Sequence, residues 1–256
     1  MNVSSSNSDR FRFFPQLNDL PEDQRRWFGS DSRLFESAAQ TYFADDSLQN
    51  RLVREIAAAR LLPIKEVLES FEFFARVRKQ TRAACVADLC CGHGLIGVLF
   101  AMFEKRVDRV ILADRETPPS RLKLIEMANK IAPWVEPKIE NVQAKLTVGD
   151  GTVPAGAAVV SAHACGVLSD LCIGAAIESG GPLAILPCCY PKSACEAPQS
   201  IVSALGLTMA FDVDRTYRLE AAGYLVRWTS IPAAITPMNR IICARKKVAE
   251  ASGHRL

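Results

Sequence analysis

Apolar residues recur at helical spacing in the first part of the chain, from about residue 31 to residue 80. Leu52, Ile56 and Ala59 give one such series. Spacings of three and four residues place side chains on one face of a helix. Pro63 is well placed at a helix start, where its missing N–H costs nothing. The pattern therefore predicts two or three amphipathic helices in this region.

After residue 81 the pattern changes to short apolar runs that alternate with helical segments. This alternation is typical of successive βαβ units in a parallel sheet. Strands are predicted at residues 85–89, 110–113, 145–148, 157–162, 183–186, 208–213 and 240–244. Residues 217–228 fit either a helix or an irregular insertion. The sequence thus predicts an α/β fold, with a Rossmann-like, seven-stranded, doubly wound sheet behind a helical N-terminal extension.

Composition divides the chain into one large domain and shorter flanking parts. Residues 1–9 are polar and rich in Ser and Asn, so we expect a disordered tail. Residues 10–80 form the helical N-terminal extension, residues 81–247 the α/β domain, and residues 248–256 a C-terminal tail. With 256 residues, of which 49% are hydrophobic, the chain is long enough to bury a sizeable core.

Hydropathy, cysteine content and charge exclude some classes of protein. No run approaches the roughly 18 apolar residues that a membrane helix needs, and the N-terminus lacks the apolar core of a signal peptide. We therefore expect a cytoplasmic protein with no membrane partner. The nine cysteines are predicted to be reduced thiols, because their spacing is not that of a small disulfide scaffold. A net charge of +3 is only a weak bias toward anionic partners.

A glycine-containing loop follows the first predicted strand and leads into the helix-like segment 95–103. Its sequence is Asp88-Leu89-Cys90-Cys91-Gly92-His93-Gly94. Strand, glycine turn and helix are the context in which such a motif binds a nucleotide-type cofactor. Glycine lets the backbone bend sharply and lets a ligand approach without a Cβ in the way. Gly92 and Gly94 are the predicted close-approach positions, and Cys90 is predicted to lie beside the cofactor.

Carboxylates follow three of the predicted strands. Asp114, after the second strand, can accept hydrogen bonds from both ribose hydroxyls of an adenosine. Asp150, after the third, is either an acceptor for the adenine amino group or an ordinary turn aspartate. Asp88, at the end of the first, can meet the cationic amino-acid end of S-adenosylmethionine. These positions predict S-adenosylmethionine as the cofactor.

Two other interpretations of this loop stay open. Gly92-x-Gly94-x-x-Gly97 also satisfies the dinucleotide fingerprint, which alone is a weak signal and would indicate an NAD(P)-dependent oxidoreductase. Asp88 argues against it, because a carboxylate there would repel a pyrophosphate. A noncatalytic S-adenosylmethionine-binding module is the other alternative.

Two further motifs follow the fourth and fifth predicted strands. The first is His163-Ala164-Cys165-Gly166, and the second is Pro187-Cys188-Cys189-Tyr190. In a 3-2-1-4-5 strand order both emerge at the cofactor crevice. Methyl transfer to oxygen or nitrogen requires removal of a proton, and His163 is the candidate base, with a structural histidine as the alternative. Cys165 would lie near it, and Tyr190 is a candidate for stacking on a flat substrate.

No metal site is predicted, although thiols are numerous near this crevice. Adjacent cysteines at a strand end are expected to point to opposite sides, and no Cys-x-x-Cys chelating loop is present. Small thiols packing against a ligand account for Cys165, Cys188 and Cys189. We expect less than stoichiometric zinc in the purified protein.

The motifs together carry a family resemblance. His163-x-Cys165-Gly166-x-x-x-Asp170, followed by Pro187-Cys188-Cys189-Tyr190, resembles the methyltransferase domain of glutathione S-transferase C-terminal-domain-containing proteins. It is more distantly similar to tRNA acceptor-stem 2′-O-methyltransferases, which have His-His where this chain has Tyr-Pro. The resemblance covers about residues 88–245. It implies a class I S-adenosylmethionine-dependent methyltransferase, and it favours RNA, tRNA included, as methyl acceptor over protein or a small molecule.

Overall fold

The computed structural model describes residues 9–147, 149 and 151–247 of the chain. Within them lies one mixed sheet, whose strands are β1 (Cys85–Leu89), β2 (Arg109–Asp114), β3 (Ile139–Gln143), β4 (Ala158–Ala162), β5 (Leu183–Leu186), β6 (Tyr224–Ser230) and β7 (Arg240–Lys246). These seven strands take the order β3-β2-β1-β4-β5-β7-β6. The first five are parallel, whereas β7 is antiparallel to both of its neighbours. The predicted Rossmann-like α/β fold is confirmed.

Helices precede the sheet and connect its strands. In the described residues they are α1 (Glu22–Arg25), α2 (Glu36–Tyr42), α3 (Leu48–Ala58), α4 (Ile64–Val77), α5 (Leu95–Phe103), α6 (Pro119–Ile131), α7 (Val167–Ser179), α8 (Gln199–Leu205) and α9 (Leu207–Ala221). The helices predicted between residues 31 and 80 are confirmed as α2, α3 and α4, and α4 begins directly after Pro63. None of the described helices has both the length and the apolar content that crossing a membrane requires.

The third strand differs from its prediction. It was expected at residues 145–148 but lies at Ile139–Gln143, where Val110 of β2 pairs with Ile139. Residues 144–147 are irregular, and Val148 lies outside the described residues. The reason is that β3 is an edge strand, mostly exposed, so it lacks the continuous apolar run by which buried parallel strands are recognised.

The sixth strand was also misplaced. Residues 208–213, predicted as a strand, form part of α9, and β6 is Tyr224–Ser230. The ambiguous segment 217–228 therefore contains the end of a helix, a turn and most of a strand. Along α9 the buried side chains Phe211, Arg215 and Leu219 recur every four residues, which is the spacing of one helix face. Arg215 and Leu219 lie outside residues 208–213, so this segment alone does not show the helical spacing.

The two faces of the sheet are covered by separate apolar clusters. One cluster joins α3, α4, α5 and α6 to one face, and the other joins α7 and the end of α9 to the opposite face. Helix α4 is central to the first cluster, where Phe71, Phe73 and Phe74 are fully buried. The ring of Phe74 meets that of Phe100 on α5 at 5.0 Å between centroids. Full burial of each such ring stabilises the fold by about 1.5–3 kcal/mol.

A buried ion pair on α4 holds the start of the described chain. Glu72 and Arg76 pair within the core. The Glu72 carboxylate also accepts the backbone N–H groups of Arg12, at 2.9 Å, and Phe13, at 2.8 Å. Because a buried carboxylate is costly unless it is paired and hydrogen-bonded, these contacts fix the N-terminal segment to the helix. The N-terminal helices thus share one continuous core with the sheet.

Candidate functional site

A cavity of about 570 Å³ opens at the carboxyl ends of the parallel strands. Such a volume is typical of small-molecule sites. It lies where the chain order reverses between β1 and β4, which is where doubly wound sheets bind their ligands. Its lining residues are Leu89, Cys90, Ala113, Asp114, Arg115, Ala144, Lys145, Leu146, Thr152, His163, Cys165 and Leu168.

The glycine loop sits tightly against β2. Gly94 has φ +75° immediately before α5, and a Cβ there would come within 3.0 Å of Leu112 Cδ1. At Gly97 a Cβ would lie only 2.3 Å from Leu112 Cδ2. Both positions therefore require glycine, one for its backbone conformation and one for close packing of the helix on the strand. Cys90, although not glycine, also has a left-handed backbone with φ 54°, and it lines the cavity.

Asp114 lies where the loop and the second strand meet. Its Oδ2 accepts the N–H of Gly92 at 2.8 Å, and the side chain is half-buried on the cavity wall. Among the described residues, Oδ1 accepts no hydrogen bond. A carboxylate fixed by one oxygen and free at the other is suited to a hydroxyl-bearing ligand in the cavity.

Asp88 is placed beneath the loop and is not one of the described residues that line the cavity. It is 1% exposed, and its Oδ2 accepts the N–H of Gly97 at 2.9 Å. Burial raises the pKa of this carboxyl to about 7, against the opposing effects of the Gly97 hydrogen bond and the Arg121 charge. The carboxylate that the sequence assigns to a cofactor amino group thus contacts helix α5 in this structure, and its contact with a cofactor stays a prediction.

Asp150 lies outside the described residues, so its predicted place at the adenine has no structural counterpart here. The flanking positions are described. The Gly149 N–H donates to Glu178 Oε2 at 3.0 Å, and Thr152 lines the cavity.

Arg121 braces the glycine loop from α6, and sequence reasoning missed it. The guanidinium is fully buried; its Nε donates to the carbonyl of Gly92 at 2.9 Å and its Nη2 to that of Glu116 at 2.9 Å. The partner Gly92 is 29 residues away in the sequence. No local pattern marks an arginine on an amphipathic helix as buried, because such residues usually point to solvent.

His163 follows β4 and lines the cavity opposite Asp114. Its φ is +66°, and its N–H donates to Leu186 O at 3.2 Å, which ties the loop to β5. The side-chain Nε2 lies 2.8 Å from Oε2 of Glu69 on α4. Burial alone would lower the pKa of His163, but contact with Glu69 and the charges of Glu69 and Glu66 outweigh it, so that the pKa is raised. For Nδ1 the structure shows no partner among the described residues.

His93, within the glycine loop, forms a second pair with the same helix. Its Nε2 lies 3.3 Å from Glu66 Oε2, and its Nδ1 accepts the N–H of Leu95 at 3.1 Å. The hydrogen bond from His93 lowers the pKa of Glu66. Sequence reasoning missed both glutamates. The available signal was a run of acids at every third position, Glu66, Glu69 and Glu72, on an otherwise apolar helix face.

Three thiols meet beside His163. The Sγ of Cys165 lies 3.2 Å from that of Cys188, which in turn lies 3.6 Å from that of Cys189. The expectation that Cys188 and Cys189 point to opposite sides is wrong. Strand β5 ends at Leu186, and the alternation of side chains applies only within an extended strand.

Tyr190 has intramolecular partners on several sides. Its hydroxyl donates to Asp212 Oδ2 at 3.1 Å, its ring meets that of Phe211 at 5.6 Å, and the Arg215 guanidinium lies 5.7 Å from its centroid. Burial raises its pKa. Tyr190 is not one of the described residues that line the cavity, so the structure does not bring it together with His163 and Cys165 on that wall.

Asp170 is the last residue of the motif that begins at His163. It accepts hydrogen bonds from Arg215, at 3.1 Å to each carboxylate oxygen, and pairs with Arg218. Arg215 is fully buried. A buried guanidinium needs a carboxylate with matching bidentate geometry, and Asp170 satisfies this need.

No family model matches the chain, and no curated protein matches it either. Among solved structures, it is similar to an O-methyltransferase family protein from Burkholderia thailandensis, with 17% identity, a TM-score of 0.46, and coverage of 85% of this chain and 64% of that one. The chain therefore spans less than two thirds of the length of that protein.

Two further similar structures are enzymes of different kinds. One is a precorrin-6y C5,15-methyltransferase from Geobacter metallireducens, with 15% identity, a TM-score of 0.43, and coverage of 72% of this chain and 88% of that one. The other is a tRNA (uracil-54, C5)-methyltransferase from Pyrococcus abyssi, with 14% identity, a TM-score of 0.41, and coverage of 70% and 38%. At these identities the activity has to be inferred from the chemistry of the cavity.

Proposed function

We propose that the chain is an S-adenosylmethionine-dependent methyltransferase, with cofactor and methyl acceptor meeting in the cavity between Asp114 and His163. One observation carries the proposal. The cavity lies on a sheet in which antiparallel β7 is inserted between β5 and β6. The usual dinucleotide-binding sheet has the order 3-2-1-4-5-6. The inserted β7 is the arrangement of class I methyltransferases, and it favours adenosylmethionine over NAD(P).

The cofactor side of the cavity consists of the glycine loop and the end of β2. Asp114 Oδ1 is the proposed acceptor for ribose hydroxyls, while Oδ2 stays on the Gly92 N–H. Leu146 and Leu168 supply apolar surface for the adenosine. When bound, S-adenosylmethionine supplies an electrophilic methyl group on its sulfonium sulfur. Asp88 supports this side indirectly, by holding α5 through Gly97.

The acceptor side is built around His163. Its Nε2 lies 2.8 Å from the Glu69 carboxylate, so we assign the proton of the neutral ring to Nε2 and the lone pair to Nδ1. An acceptor hydroxyl or amine held there would form its new bond to the methyl carbon as the carbon–sulfur bond broke, with the electron pair of that bond left on sulfur. The acceptor proton passes to Nδ1, and the Glu69 carboxylate stabilises the imidazolium that results. Cys165 lies on the same wall.

RNA is the proposed acceptor, because the motifs at His163 and Cys188 resemble those of RNA-methylating enzymes. The cavity rim adds an observation in the same direction. Arg115 and Lys145 line it and are exposed, and cationic side chains at a rim suit a phosphate backbone. The alternatives are a protein or a small-molecule acceptor.

Ligand-dependent thermal stability tests the cofactor. Saturating S-adenosylhomocysteine should raise the midpoint of unfolding, because a ligand that binds only the folded state stabilises it, and NAD should not. A shift with NAD and none with S-adenosylhomocysteine would favour the oxidoreductase alternative.

Calorimetry with paired variants tests the site. Asp114→Ala should weaken S-adenosylhomocysteine binding by about 1–3 kcal/mol, the scale of charge-assisted hydrogen bonds. Asp108→Ala is the matched control, since Asp108 is an exposed acid immediately before the first residue of the same strand. Equal affinities in both variants and the parent protein would remove Asp114 from the site.

Transfer of a tritiated methyl group from S-adenosylmethionine tests the acceptor. Fractionated RNA, protein and small-molecule pools serve as separate substrates, and label is expected in RNA. Label in another pool alone would contradict the RNA proposal but not the enzyme. Binding of S-adenosylhomocysteine with no transfer to any pool would favour the noncatalytic module.

A further inference from the structure

We propose that Cys165, Cys188 and Cys189 together bind a thiophilic divalent metal ion of the zinc class. Their Sγ atoms all lie within 4.8 Å of one another. This site does not depend on the proposed methyl transfer, because its ligands are three thiols from two loops and need neither cofactor nor acceptor.

The spacing of the sulfur atoms matches one ion. In tetrahedral coordination with zinc–sulfur bonds of about 2.3 Å, two sulfur ligands lie about 3.8 Å apart. The distances from Cys188 Sγ are 3.2 Å to Cys165 Sγ and 3.6 Å to Cys189 Sγ. The third separation, from Cys165 Sγ to Cys189 Sγ, is no more than 4.8 Å, so small side-chain rotations bring all three sulfur atoms to one centre.

The backbone brings the two loops together independently of the thiols. Gly166, next to Cys165, has φ +58°, and a Cβ at this position would come within 3.1 Å of Pro191 Cγ. Pro191 follows the Cys188-Cys189 pair by two residues. Glycine thus satisfies both a backbone conformation that other residues rarely adopt and a close approach of the β4 loop to the β5 loop. The thiols meet at this approach.

Charge explains why such a cluster calls for a cation. Three thiolates this close would repel one another strongly, and a divalent cation held between them offsets their charge. Thiols bind a metal as thiolates and release protons when they do so, so the affinity for the ion falls as the pH falls.

The three ligands leave a fourth position free. Cys165 and Cys189 are exposed, so an ion can enter from solvent. Three protein ligands with one open position are the pattern of zinc sites that bind water or a substrate, whereas structural sites are closed by four. Cys165 and His163 line the same cavity, so the proposed ion lies at its acceptor end.

Metal analysis of the purified full-length chain is the first test. Because the structure brings the three thiols together, it replaces the substoichiometric zinc expected from the sequence with about one zinc per chain, in the parent protein and in Cys195→Ser. In Cys188→Ser we expect a zinc affinity lowered roughly 100-fold or more, beyond what loss of an outer-shell partner causes. Cys195 is a matched control, because it lies six residues after Cys189 and outside the cluster. Equal zinc in parent and Cys188→Ser would overturn the proposal.

Cobalt spectroscopy of the reduced protein is the second test, and it reports the ligands directly. Tetrahedral cobalt with thiolate ligands gives sulfur-to-metal charge-transfer bands, which should weaken in each single Ser variant of the cluster. Absence of these bands in the folded parent protein would overturn the proposal. S-adenosylhomocysteine binding measured on the same samples keeps this result separate from that for the methyltransferase.

Discussion

Two glutamate–histidine pairs connect helix α4 to the loops around the cavity, and they are opposites in burial. In the Glu66–His93 pair the histidine side chain is 17% exposed and the carboxylate 39%. In the Glu69–His163 pair the carboxylate is 2% exposed and the histidine 39%. The two glutamates lie three positions apart on one helix, yet the more exposed member is the glutamate in the first pair and the histidine in the second.

We propose that this difference separates a structural histidine, His93, from the candidate base, His163. Both ring nitrogens of His93 are used, one toward Glu66 and one toward Leu95 N–H. His163 uses only Nε2 among the described contacts, and a buried carboxylate holds it there. His163 lines the cavity, and a histidine there with one anchored nitrogen and one nitrogen without a partner among the described residues suits the proposed role of general base. Counting histidines in the sequence does not reveal this difference.

The largest expected effect comes from removing the two histidines in turn. His163→Ala should lower methyl transfer by about 10²–10⁴-fold, the usual contribution of a general base, and leave S-adenosylhomocysteine affinity unchanged. His93→Ala should instead weaken cofactor binding and leave turnover at saturating cofactor near that of the parent, because it supports only the glycine loop. Steady-state kinetics with varied cofactor separates the two. Equal losses of turnover in both variants would break the comparison.

The next effect concerns the pH–rate profile. Glu69 contributes most of the rise in the His163 pKa, so Glu69→Gln should lower that pKa and move the acidic limb of the profile to lower pH. The plateau should fall by about tenfold, less than on loss of the base. Glu66→Gln should move the limb in the same direction but less, since Glu66 acts on His163 only through its charge. An unshifted limb in Glu69→Gln would remove the pair from catalysis.

The free energy of unfolding should also depend on pH through the Glu69–His163 pair. The pKa of His163 in the folded state is raised above its usual 6.5. The stabilisation from this pair is therefore fully present below about pH 6.5 and is lost as pH rises through the raised value. Between about pH 6 and 9, the free energy of unfolding measured with urea should fall less steeply with pH in Glu69→Gln than in the parent protein. A decline as steep as that of the parent would contradict the assignment.

The smallest effect is expected from the more exposed carboxylate. Glu66→Gln should lower the free energy of unfolding by about 0.2–1 kcal/mol, the range of partly exposed ion pairs. High salt should reduce this loss, since it screens exposed charges. The loss in Glu69→Gln should change less with salt, because its carboxylate is buried. Denaturant titrations at low and high salt test this contrast.

The sequence predicted the elements whose signal is local. The strands at Cys85–Leu89 and Leu183–Leu186 and the helix Leu95–Phe103 lie at the expected residues, because buried parallel strands and strongly apolar helices have continuous patterns. Edge strand β3 and antiparallel β6 were misplaced, since exposed strands lose that continuity. These errors left the fold class unaffected.

The cavity was predictable in part. Topology brings Asp114, Cys90, His163 and Cys165 to one place, as expected from residues at the ends of neighbouring strands. Glu69 and Arg121 were not found, because their roles depend on partners in distant segments. Asp88 was assigned to the ligand, yet its carboxylate is used to hold a helix. Position at a strand end places a residue near a cavity but does not set the direction of its side chain.

Cys90 and His163 have a further consequence for how this protein changes under selection. Each holds a left-handed backbone without being glycine, at an energetic cost of order 1–3 kcal/mol. Glycine or asparagine at Cys90 would relieve that cost, so selection for heat resistance alone favours its loss. At His163 the same change would also remove the stabilising pair with Glu69. In the proposed methyltransferase, selection for activity retains both side chains, because both line the cavity. Cys90 is therefore the position where we expect thermal tolerance and turnover to oppose each other.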